Sequence, residues 1–458
     1  TELWSLAGKA LIVLVFLLVI AFLGYCLYIR HVHMKYDHIP GPPRDSFFLG
    51  HTPTILKIMK SEEILMSPKY PKDKFVYKRL FSLFGRRFLG NGLVTARDHE
   101  QWYKQRRIMD PAFSSLYLRG LMGTFNERAE KLMLKLTEFA DSKTEANMLH
   151  LVNCVTLDVI AKVAFGVDLD LLTNKSPFPM AIETCLKGMM YYLRDTLFEL
   201  NPKNRPFINE VREACQLLRA TGARWIQERK AAMQKGEDVP KDILTQIIKT
   251  AGKDEEFMLD NFVTFFIAGQ ETTANQLAFC IMELGRHPDI LKKVRKEVDD
   301  VIGMKQDISY DDLGKLVYLS QVLKETLRLY PTAPGTSRDV LEDMVIDGIH
   351  IPAGFTTFSS YTTGRMDKFF KDPLTFDPDR FHPDAPKPYY CYYPFALGPR
   401  SCLGQNFAQM EAKVVMAKLI QRFHCVLVSG QTFDILDTGT LRPKSGVRCH
   451  IKHRQHNE

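Results

Sequence analysis

The chain has 458 residues, 45% of them hydrophobic, so it can bury a sizeable core in one large domain or several average ones. Its formal net charge of +8 is spread along the sequence, which argues against nucleic-acid binding and favours acidic partners or anionic lipid. The nine cysteines are scattered, odd in number and without a Cys-x-x-Cys pair. This pattern disfavours a disulfide framework or a zinc site and favours a reducing, cytosol-facing location.

The N-terminal segment predicts a membrane anchor. Residues 10–29 carry no charge, and as a helix they span about 30 Å, the thickness of the hydrocarbon core. A cleaved signal peptide is the alternative, but its apolar run would be shorter and followed by small residues, whereas basic residues follow here. We therefore expect residues 1–9 to be lumenal and residues 10–29 to form a single-pass signal-anchor helix in membrane lipid. The positive flank predicts that the rest of the chain faces the cytosol.

Residues 30–43 predict a basic, proline-rich linker, because Pro-Gly-Pro-Pro at residues 40–43 cannot continue a helix. Beyond it, apolar residues recur mainly at helical spacing, with strands concentrated late in the chain. The sequence therefore predicts a mainly α fold with small β-sheets over residues 44–458. An Asp-Gly hairpin is expected within residues 344–351 and a strand near residues 356–361. Long helices are expected over residues 115–140, 147–165, 206–234, 257–285, 289–302 and 315–329.

Two patterns of paired residues are weak signals by themselves. Trp102 and Arg106 lie four residues apart, on one face of a predicted helix, as in many amphipathic helices. Glu325 and Arg328 lie three apart on a helix that should end before Pro331, and such ion pairs are common on protein surfaces.

Residues 262–273 have the sequence Phe-Val-Thr-Phe-Phe-Ile-Ala-Gly-Gln-Glu-Thr-Thr, inside one of the predicted helices. The small residues Ala268 and Gly269 permit close approach to this helix and a local loosening of its hydrogen bonds. The adjacent acid and alcohol, Glu271 and Thr272, are residue types that can transfer protons. The alternative is a threonine bonded to its own helix backbone beside a solvated glutamate.

The segment from Phe395 to Gly404, Phe-Ala-Leu-Gly-Pro-Arg-Ser-Cys-Leu-Gly, is the most informative part of the chain. Cys402 comes just before a predicted helix over residues 405–423, whose N-terminus favours a thiolate. Glycines let the backbone pass close to a flat cofactor, and Arg400 can meet an anionic propionate. Because an axial thiolate favours O–O cleavage, the segment indicates a haem iron site for oxygen activation. A buried structural cysteine is the alternative.

Together these motifs resemble the signature of the haem-thiolate monooxygenases, the cytochrome P-450 superfamily. The resemblance covers nearly the whole chain and implies the cytochrome P-450 fold, with residues 44–458 as the haem-thiolate catalytic domain. It implies a haem b ligated by Cys402, with O2 and NADPH-derived electrons as co-substrates, and Thr272 and Glu271 as catalytic proton carriers. The further residues implied are Trp102, Arg106, Arg338, Phe395, Arg400 and Gly404 for cofactor binding, and Glu325, Arg328 and Arg380 for a structural network.

Residues 260–269, 318–330 and 409–418 resemble sterol side-chain hydroxylases of this superfamily, although residues 333–337 lack the aromatic side chains of those enzymes. This resemblance implies a sterol substrate, electrons from an NADPH-cytochrome reductase at the proximal face, and the endoplasmic reticulum membrane as location. The expected substrate contacts are Phe265, Ala268, Ala333 and Thr440. The cations expected at the reductase face are Lys104, Arg107, Lys413 and Lys418.

Only 58 residues separate Pro43 from Trp102, several dozen fewer than the superfamily uses for its first helix and the opening strand hairpin of its sheet. We therefore expect that opening helix and hairpin to be missing, which would leave partner strands unpaired. Two alternatives to a sterol monooxygenase stay open. One is a catalytically impaired haem- or lipid-binding membrane protein, and the other is an isomerising or dehydrating enzyme, which needs no proton carriers.

Overall fold

Helices make up most of the described chain, as the spacing of its apolar residues predicts. The computed structural model describes residues 2–36, 64–195, 197–346 and 349–455. The helices are α1 (Glu2–Tyr36), α2 (Lys74–Phe81), α3 (His99–Met109), α4 (Ser115–Arg119), α5 (Met122–Ser142), α6 (Met148–Phe165), α7 (Phe178–Arg194), α8 (Arg205–Gln234), α9 (Ile243–Ala251), α10 (Glu255–Arg286), α11 (Pro288–Val301), α12 (Tyr310–Lys315), α13 (Val317–Leu329), α14 (Ser360–Thr363) and α15 (Gln405–Arg422).

The strands are short and pair antiparallel. They are β1 (Ser82–Leu83), β2 (Arg86–Arg87), β3 (Glu145–Asn147), β4 (Gly335–Val340), β5 (Met344–Ile346), β6 (Ile349–Ile351), β7 (Gly354–Ser359), β8 (Phe423–Leu427), β9 (Ile435–Asp437), β10 (Leu441–Pro443) and β11 (Arg448–His453). One sheet has the order β3-β11-β8, with Cys449 opposite Ala146 and Leu427. The others are the pairs β1-β2, β4-β7, β5-β6 and β9-β10. The predicted mainly α fold with small sheets is therefore confirmed.

Helix α10 runs through the centre of the core, packed against α6, α8, α13 and α15. Gly269 permits this packing, because a Cβ atom there would lie 2.6 Å from Ile160 Cδ1 of α6. Aromatic rings fill the space on the same side, with the ring centroids of Phe165 and Phe262 4.6 Å apart. Burial of each such side chain contributes about 1.5–3 kcal/mol to stability. The packing therefore fixes the position of α10 relative to the helices around it.

Helix α1 contains the predicted membrane anchor. Its residues Leu11–Met34 are long and apolar enough to cross a membrane, and most of their side chains are exposed. Helix α6 passes the same test of length and composition, but it is buried in the core. The helix continues through residues 30–36, which we had predicted to be linker, and residues 37–43 lie outside the described part of the chain.

The interval before Trp102 is described only from residue 64 onward, and it contains α2 and the β1-β2 hairpin. The absence of an opening helix and strand hairpin stays a prediction, because residues 44–63 lie outside the described part. Strand β4 pairs with β7 on one edge, and its other edge is covered in part by residues 71–72. Asp339 N donates to Pro71 O (2.9 Å), and Lys72 pairs with Arg338 in an antiparallel bridge.

Glu411 of α15 is a buried carboxyl, and neither of its oxygens has a hydrogen-bond partner within the described residues. Burial raises the pKa of Glu411 well above its ordinary value. The folded protein therefore keeps a proton that the unfolded chain releases above about pH 4.3. The free energy of unfolding falls as pH rises past that point, because the unfolded chain then binds fewer protons than the folded one.

We therefore predict that Glu411→Met raises the free energy of unfolding at neutral pH by about 1–3 kcal/mol, since it removes an unsatisfied buried group. The difference in free energy of unfolding between Glu411→Met and the wild type should decrease as pH falls toward about 4.3. Glu411→Gln is the matched control, because it keeps a polar group but cannot titrate. Thermal unfolding midpoints measured against pH check this prediction. A wild-type pH slope that persists in Glu411→Gln would contradict it.

Candidate active site

Cys402 lies in a loop between a 3-10 turn, Gly398–Arg400, and the start of α15. Its backbone N–H donates to Phe395 O (2.8 Å), which closes the loop. Gly398 has φ of +72°, and a Cβ atom there would lie 2.2 Å from Leu65 O. Only glycine lets the loop pack in this way. The backbone therefore fixes the loop and leaves the thiol facing a cavity.

Cys402 is an exposed cysteine, and it lines the cavity. Burial raises the pKa of this thiol, whereas a hydrogen bond with the backbone of Gly404 and the charge of Arg106 lower it. Arg106 Nη1 donates to Ser401 O (2.6 Å), which holds the guanidinium beside the loop. The groups that favour a thiolate thus come from the start of α15 and from α3. A Cβ atom at Gly404 would make only ordinary contacts, so the surrounding protein does not require glycine there.

A cavity of about 330 Å³ separates this loop from α10. Its walls are mostly apolar, and no Asp or Glu is among the described residues that line it. Three cations, Lys72, Arg106 and Arg400, do line it. The residues predicted from the sequence that the structure brings to this cavity are Trp102, Arg106, Phe265, Ala268, Thr272, Ala333, Phe395, Arg400, Cys402 and Gly404.

Lys72 is a candidate that the sequence analysis missed. Its Nζ donates to the hydroxyls of Tyr77 (2.7 Å) and Thr336 (2.9 Å). Burial lowers the pKa of Lys72 well below its ordinary value, and the charges of Arg338 and Arg400 act in the same direction. A single lysine in a polar stretch gives no sequence signal. Only its contact with β4 places it at the cavity.

Arg400 and Arg338 extend this cationic cluster. The Arg400 guanidinium lies over Trp102, with Cζ 4.6 Å from the ring centroid, and Nη2 donates to Ala96 O (2.8 Å). Burial and the charge of Arg338 lower the pKa of Arg400 to about 9. Arg338 lies behind Thr336, to which its Nη1 donates (2.8 Å), and it does not itself line the cavity. Its Nη2 is buried without a hydrogen-bond partner among the described residues.

Clustered cations and an unpaired buried donor are unfavourable unless an anion joins them. The arrangement therefore fits the carboxylates of a flat, mostly apolar cofactor, and the Cys402 thiol on the cavity wall fits a soft metal at its centre. Haem has both features. Cys402 would supply the axial ligand, and the cationic cluster would hold the propionates.

Thr272 lines the cavity, and its Oγ1 donates to Ala268 O (2.9 Å). This geometry matches the alternative stated for Thr272 from the sequence, in which the threonine hydroxyl bonds to the backbone of its own helix. Helix α10 is continuous from Glu255 to Arg286, so the expected loosening near Ala268 is not seen. The reason for glycine at position 269 is the close packing of α6.

Glu271 is buried and turns away from the cavity toward the turn between β9 and β10. Its Oε1 accepts hydrogen bonds from Asn275 Nδ2 (3.2 Å) and Thr440 Oγ1 (3.1 Å). Burial raises the pKa of Glu271, and these two hydrogen bonds oppose that effect. Thr440, expected as a substrate contact, does not line the cavity and instead holds Glu271.

Glu325, Arg328 and Arg380 form one network between α13 and residues 364–380. Arg328 donates to both Glu325 oxygens (2.7 Å each), and Arg380 Nε lies 3.3 Å from Glu325 Oε1. Arg328 Nη1 also donates to Gly364 O (2.5 Å) and Pro373 O (2.7 Å). The network therefore clamps the loops after β7 onto α13.

The four cations expected at the reductase face do not all lie on a surface. Lys104 and Arg107 are exposed. Lys413 is partly buried, and its Nζ donates to Leu313 O (3.2 Å). Lys418 is fully buried, with Nζ 3.1 Å from Glu130 Oε2, so its expected role in partner docking was wrong. The spacing of helix charges could not reveal that this face of α15 packs against α5.

The loop, the cationic cluster and the central helix define a haem-thiolate protein. The chain belongs to the cytochrome P450 family, whose model matches residues 16–450, and it is a monooxygenase of that family. Similar proteins include cytochrome P450 4d2 of Drosophila melanogaster, 28% identical over 86% of this chain and 82% of the relative. Human cytochrome P450 4X1 is 28% identical over 90% and 82%, and human cytochrome P450 3A7 is 31% identical over 76% and 72%. None of these names specifies a substrate.

Proposed function

We propose that this monooxygenase inserts one oxygen atom of O2 into a sterol side chain, with cholesterol 24-hydroxylation as the reaction. The observation that supports this most is the apolar, acid-free cavity that Cys402, Phe265 and Ala268 line. The substrate class rests on the resemblance of residues 260–269, 318–330 and 409–418 to cholesterol 24-hydroxylase. Phe265, Ala268 and Ala333 are the proposed substrate contacts, and Thr440 is not among them.

When bound, haem b supplies oxygen activation, which an axial thiolate favours. Cys402 provides that thiolate, aided by Arg106 and the Gly404 backbone. Trp102, Arg106 and Arg400 would hold the propionates, with Lys72 and Arg338 adding positive charge from the side of β4. These residues would keep the cofactor in one orientation within the cavity that Phe265 and Ala268 of α10 also line.

Thr272 and Glu271 have different roles in the proposed proton transfer. Thr272 presents its hydroxyl to the cavity, where it can hold a water and pass a proton. Glu271, the next residue toward the N-terminus, does not line the cavity and contacts the β9-β10 turn, and its proposed role is to relay protons from solvent toward Thr272. Burial raises the pKa of Glu271 and so favours the protonated form of this carboxyl, whereas its hydrogen bonds from Asn275 and Thr440 favour the ionised form.

Product analysis tests the proposal. The purified full chain, loaded with haem and mixed with a flavoprotein reductase and NADPH in phospholipid vesicles, should convert cholesterol to a side-chain alcohol when O2 is supplied. Cholesterol should also perturb the haem spectrum before reduction. Haem binding without oxygenated product would favour the non-catalytic alternative, and conversion without O2 would favour an isomerising or dehydrating enzyme.

We propose that electrons come from an NADPH-cytochrome reductase and that α1 anchors the protein in the endoplasmic reticulum membrane, with the catalytic domain facing the cytosol. Because Lys104 and Arg107 are exposed on α3, near the Arg106 contact with the cysteine loop, they are the cations available to an acidic partner.

We predict that Lys104→Glu with Arg107→Glu slows reduction of the haem by about tenfold or more at low salt, because charge complementarity mainly raises the encounter rate. The difference in haem reduction rate between this double variant and the wild type should decrease as added salt shortens the Debye length to about 8 Å. Stopped-flow reduction across a salt titration measures this. Lys296→Glu, an exposed change on α11, is the control and should reduce at the wild-type rate. Equal haem reduction rates for the wild type and all variants would mean that the reductase docks on another surface.

A further inference from the structure

Two cysteines face each other between α7 and α8. The Sγ atoms of Cys185 and Cys215 lie 3.7 Å apart, close enough for a weak hydrogen bond between the two thiols. Both side chains are buried, with 0% and 1% of their surface exposed. Because the two residues are 30 positions apart in the sequence, only the packing of the two helices brings them together.

Contacts on both sides of the cysteine pair hold the two helices in register. On one side Gly188 of α7 packs on Val211 of α8, and a Cβ atom at the glycine would lie 2.6 Å from Val211 Cγ2. On the other side the ring centroids of Phe178 and Trp225 are 6.0 Å apart. Residue numbers rise along α7 as those of their partners on α8 fall, so the helices pack antiparallel. The two thiols are therefore held opposite each other by the fold.

This geometry is close to that of a disulfide. An S–S bond is about 2 Å long and joins Cβ atoms about 3.5–4.5 Å apart. Since the sulfurs are already 3.7 Å apart, they must approach by less than about 2 Å, which rotation about the two Cα–Cβ bonds can supply. The close helix contact at Gly188, one turn away, keeps the two backbones near enough for this closure.

The folded protein favours the thiol form of the pair. The hydrogen bond with Cys215 and burial both raise the pKa of Cys185 well above its ordinary value, so little thiolate is present at neutral pH. A reducing cytosol therefore leaves both residues as thiols. Oxidation needs a local opening of the α7-α8 contact and should be slower than oxidation of an exposed cysteine.

We propose that Cys185 and Cys215 are a reversible modification site, at which hydrogen peroxide converts the two thiols to a disulfide that ties α7 to α8. One sulfur, as thiolate, attacks a peroxide oxygen, and the O–O bond breaks to give a sulfenic acid and a hydroxide, which takes up the thiol proton as water. The other sulfur then attacks the sulfenic sulfur, the S–O bond breaks, and the hydroxyl leaves with the second thiol proton as another water. The two sulfurs lose two electrons in total, and the peroxide is reduced to two waters.

The disulfide would restrain more than the two helices, because α7 also contacts the β9-β10 hairpin. Glu183 of α7 accepts a hydrogen bond from Arg442 Nη2 of β10 (2.9 Å). Gly439 of the hairpin packs on Met189, where a Cβ atom at the glycine would lie 2.1 Å from Met189 Cε. The disulfide would therefore join α8 covalently to a unit of α7 and this hairpin. This role does not depend on the proposed substrate.

Peptide mapping by mass spectrometry tests the proposal. The haem-loaded full chain is treated with hydrogen peroxide, alkylated under denaturing conditions and digested with trypsin. We expect a species in which residues 176–187 are linked to residues 213–219, and dithiothreitol added before alkylation should remove it. The link should also raise the thermal unfolding midpoint by roughly 4 °C, because it closes a loop of about 30 residues in the unfolded chain.

Cys185→Ala and Cys215→Ala should each abolish both the linked species and the rise in the unfolding midpoint. Cys280, which is equally buried on α10 and has no cysteine contact among the described residues, is the internal control and should stay a free thiol. The proposal is wrong if peroxide concentrations that oxidise the half-buried Cys391 give no linked peptide in the wild type, or if the midpoint rise persists in both alanine variants. The wild-type peptide map decides by itself if an alanine variant does not fold.

Discussion

Replacing Cys402 with alanine is expected to abolish the strongly red-shifted band of the reduced carbon monoxide difference spectrum, together with all monooxygenase activity. The thiol is the sulfur that the closed loop from Phe395 to Cys402 presents to the cavity. Arg106 and the Gly404 backbone favour its thiolate form. An alanine offers no ligand to iron, and Cys402 is the only cysteine among the described residues that line the cavity.

Two further variants make this prediction specific. Cys402→His keeps a donor for iron, so haem should bind while the thiolate band is lost, which separates loss of ligation from failure to fold. Cys391→Ala is the matched control, because Cys391 is a half-buried cysteine of the same region that does not line the cavity. It should keep the wild-type spectrum. A thiolate band that survives in Cys402→Ala would refute the assignment and make Cys391 the next candidate.

Thr272→Ala is expected to leave haem binding intact and to reduce product formation by about 100-fold or more, as when a proton-transfer group is lost. Electrons from NADPH should then appear as hydrogen peroxide, because protons no longer reach oxygen in the right place. The substitution removes a hydroxyl that bonds to Ala268 O, a helix contact that adds little stability. Product, peroxide and NADPH consumption measured together give the coupling efficiency.

Thr264→Ala is the matched control for this effect. Its Oγ1 makes the same type of bond, to Asp260 O (2.7 Å), two turns earlier on α10, and it also lines the cavity. Coupling should stay near the wild-type value in Thr264→Ala and recover in Thr272→Ser, which keeps the hydroxyl. Tight coupling in Thr272→Ala would mean that another group delivers the protons.

Local spacing made several features predictable. The helix expected over residues 147–165 is Met148–Phe165 in the structure, and that expected over 206–234 is Arg205–Gln234, because apolar periodicity and polar caps act within a few turns. Glu325 and Arg328 share a helix face for the same reason. In motifs of this kind, one helix sets the relative positions of the residues.

Contacts between segments far apart in the sequence could not be predicted from local spacing. Lys72 reaches the cavity only because residues 71–73 pack beside β4, and no local pattern marks it. Lys418 looked like a surface cation but is covered by α5. Thr440 was placed with the substrate contacts, whereas the hairpin that carries it turns its hydroxyl to Glu271.

The sequence by itself determined the class of protein and the ends of several long helices, because each is a property of residues close together in the chain. The helix expected over residues 115–140 is instead two helices, Ser115–Arg119 and Met122–Ser142. Cys402 as the ligand of the cofactor stays a prediction. The tertiary structure decided which cations gather at the cavity and which are buried in ion pairs. It also decided that Gly269 serves helix packing and that Glu271 contacts Thr440 at the β9-β10 turn and does not line the cavity. These features depend on how helices and strands far apart in sequence pack, and neither residue type nor spacing encodes that packing locally.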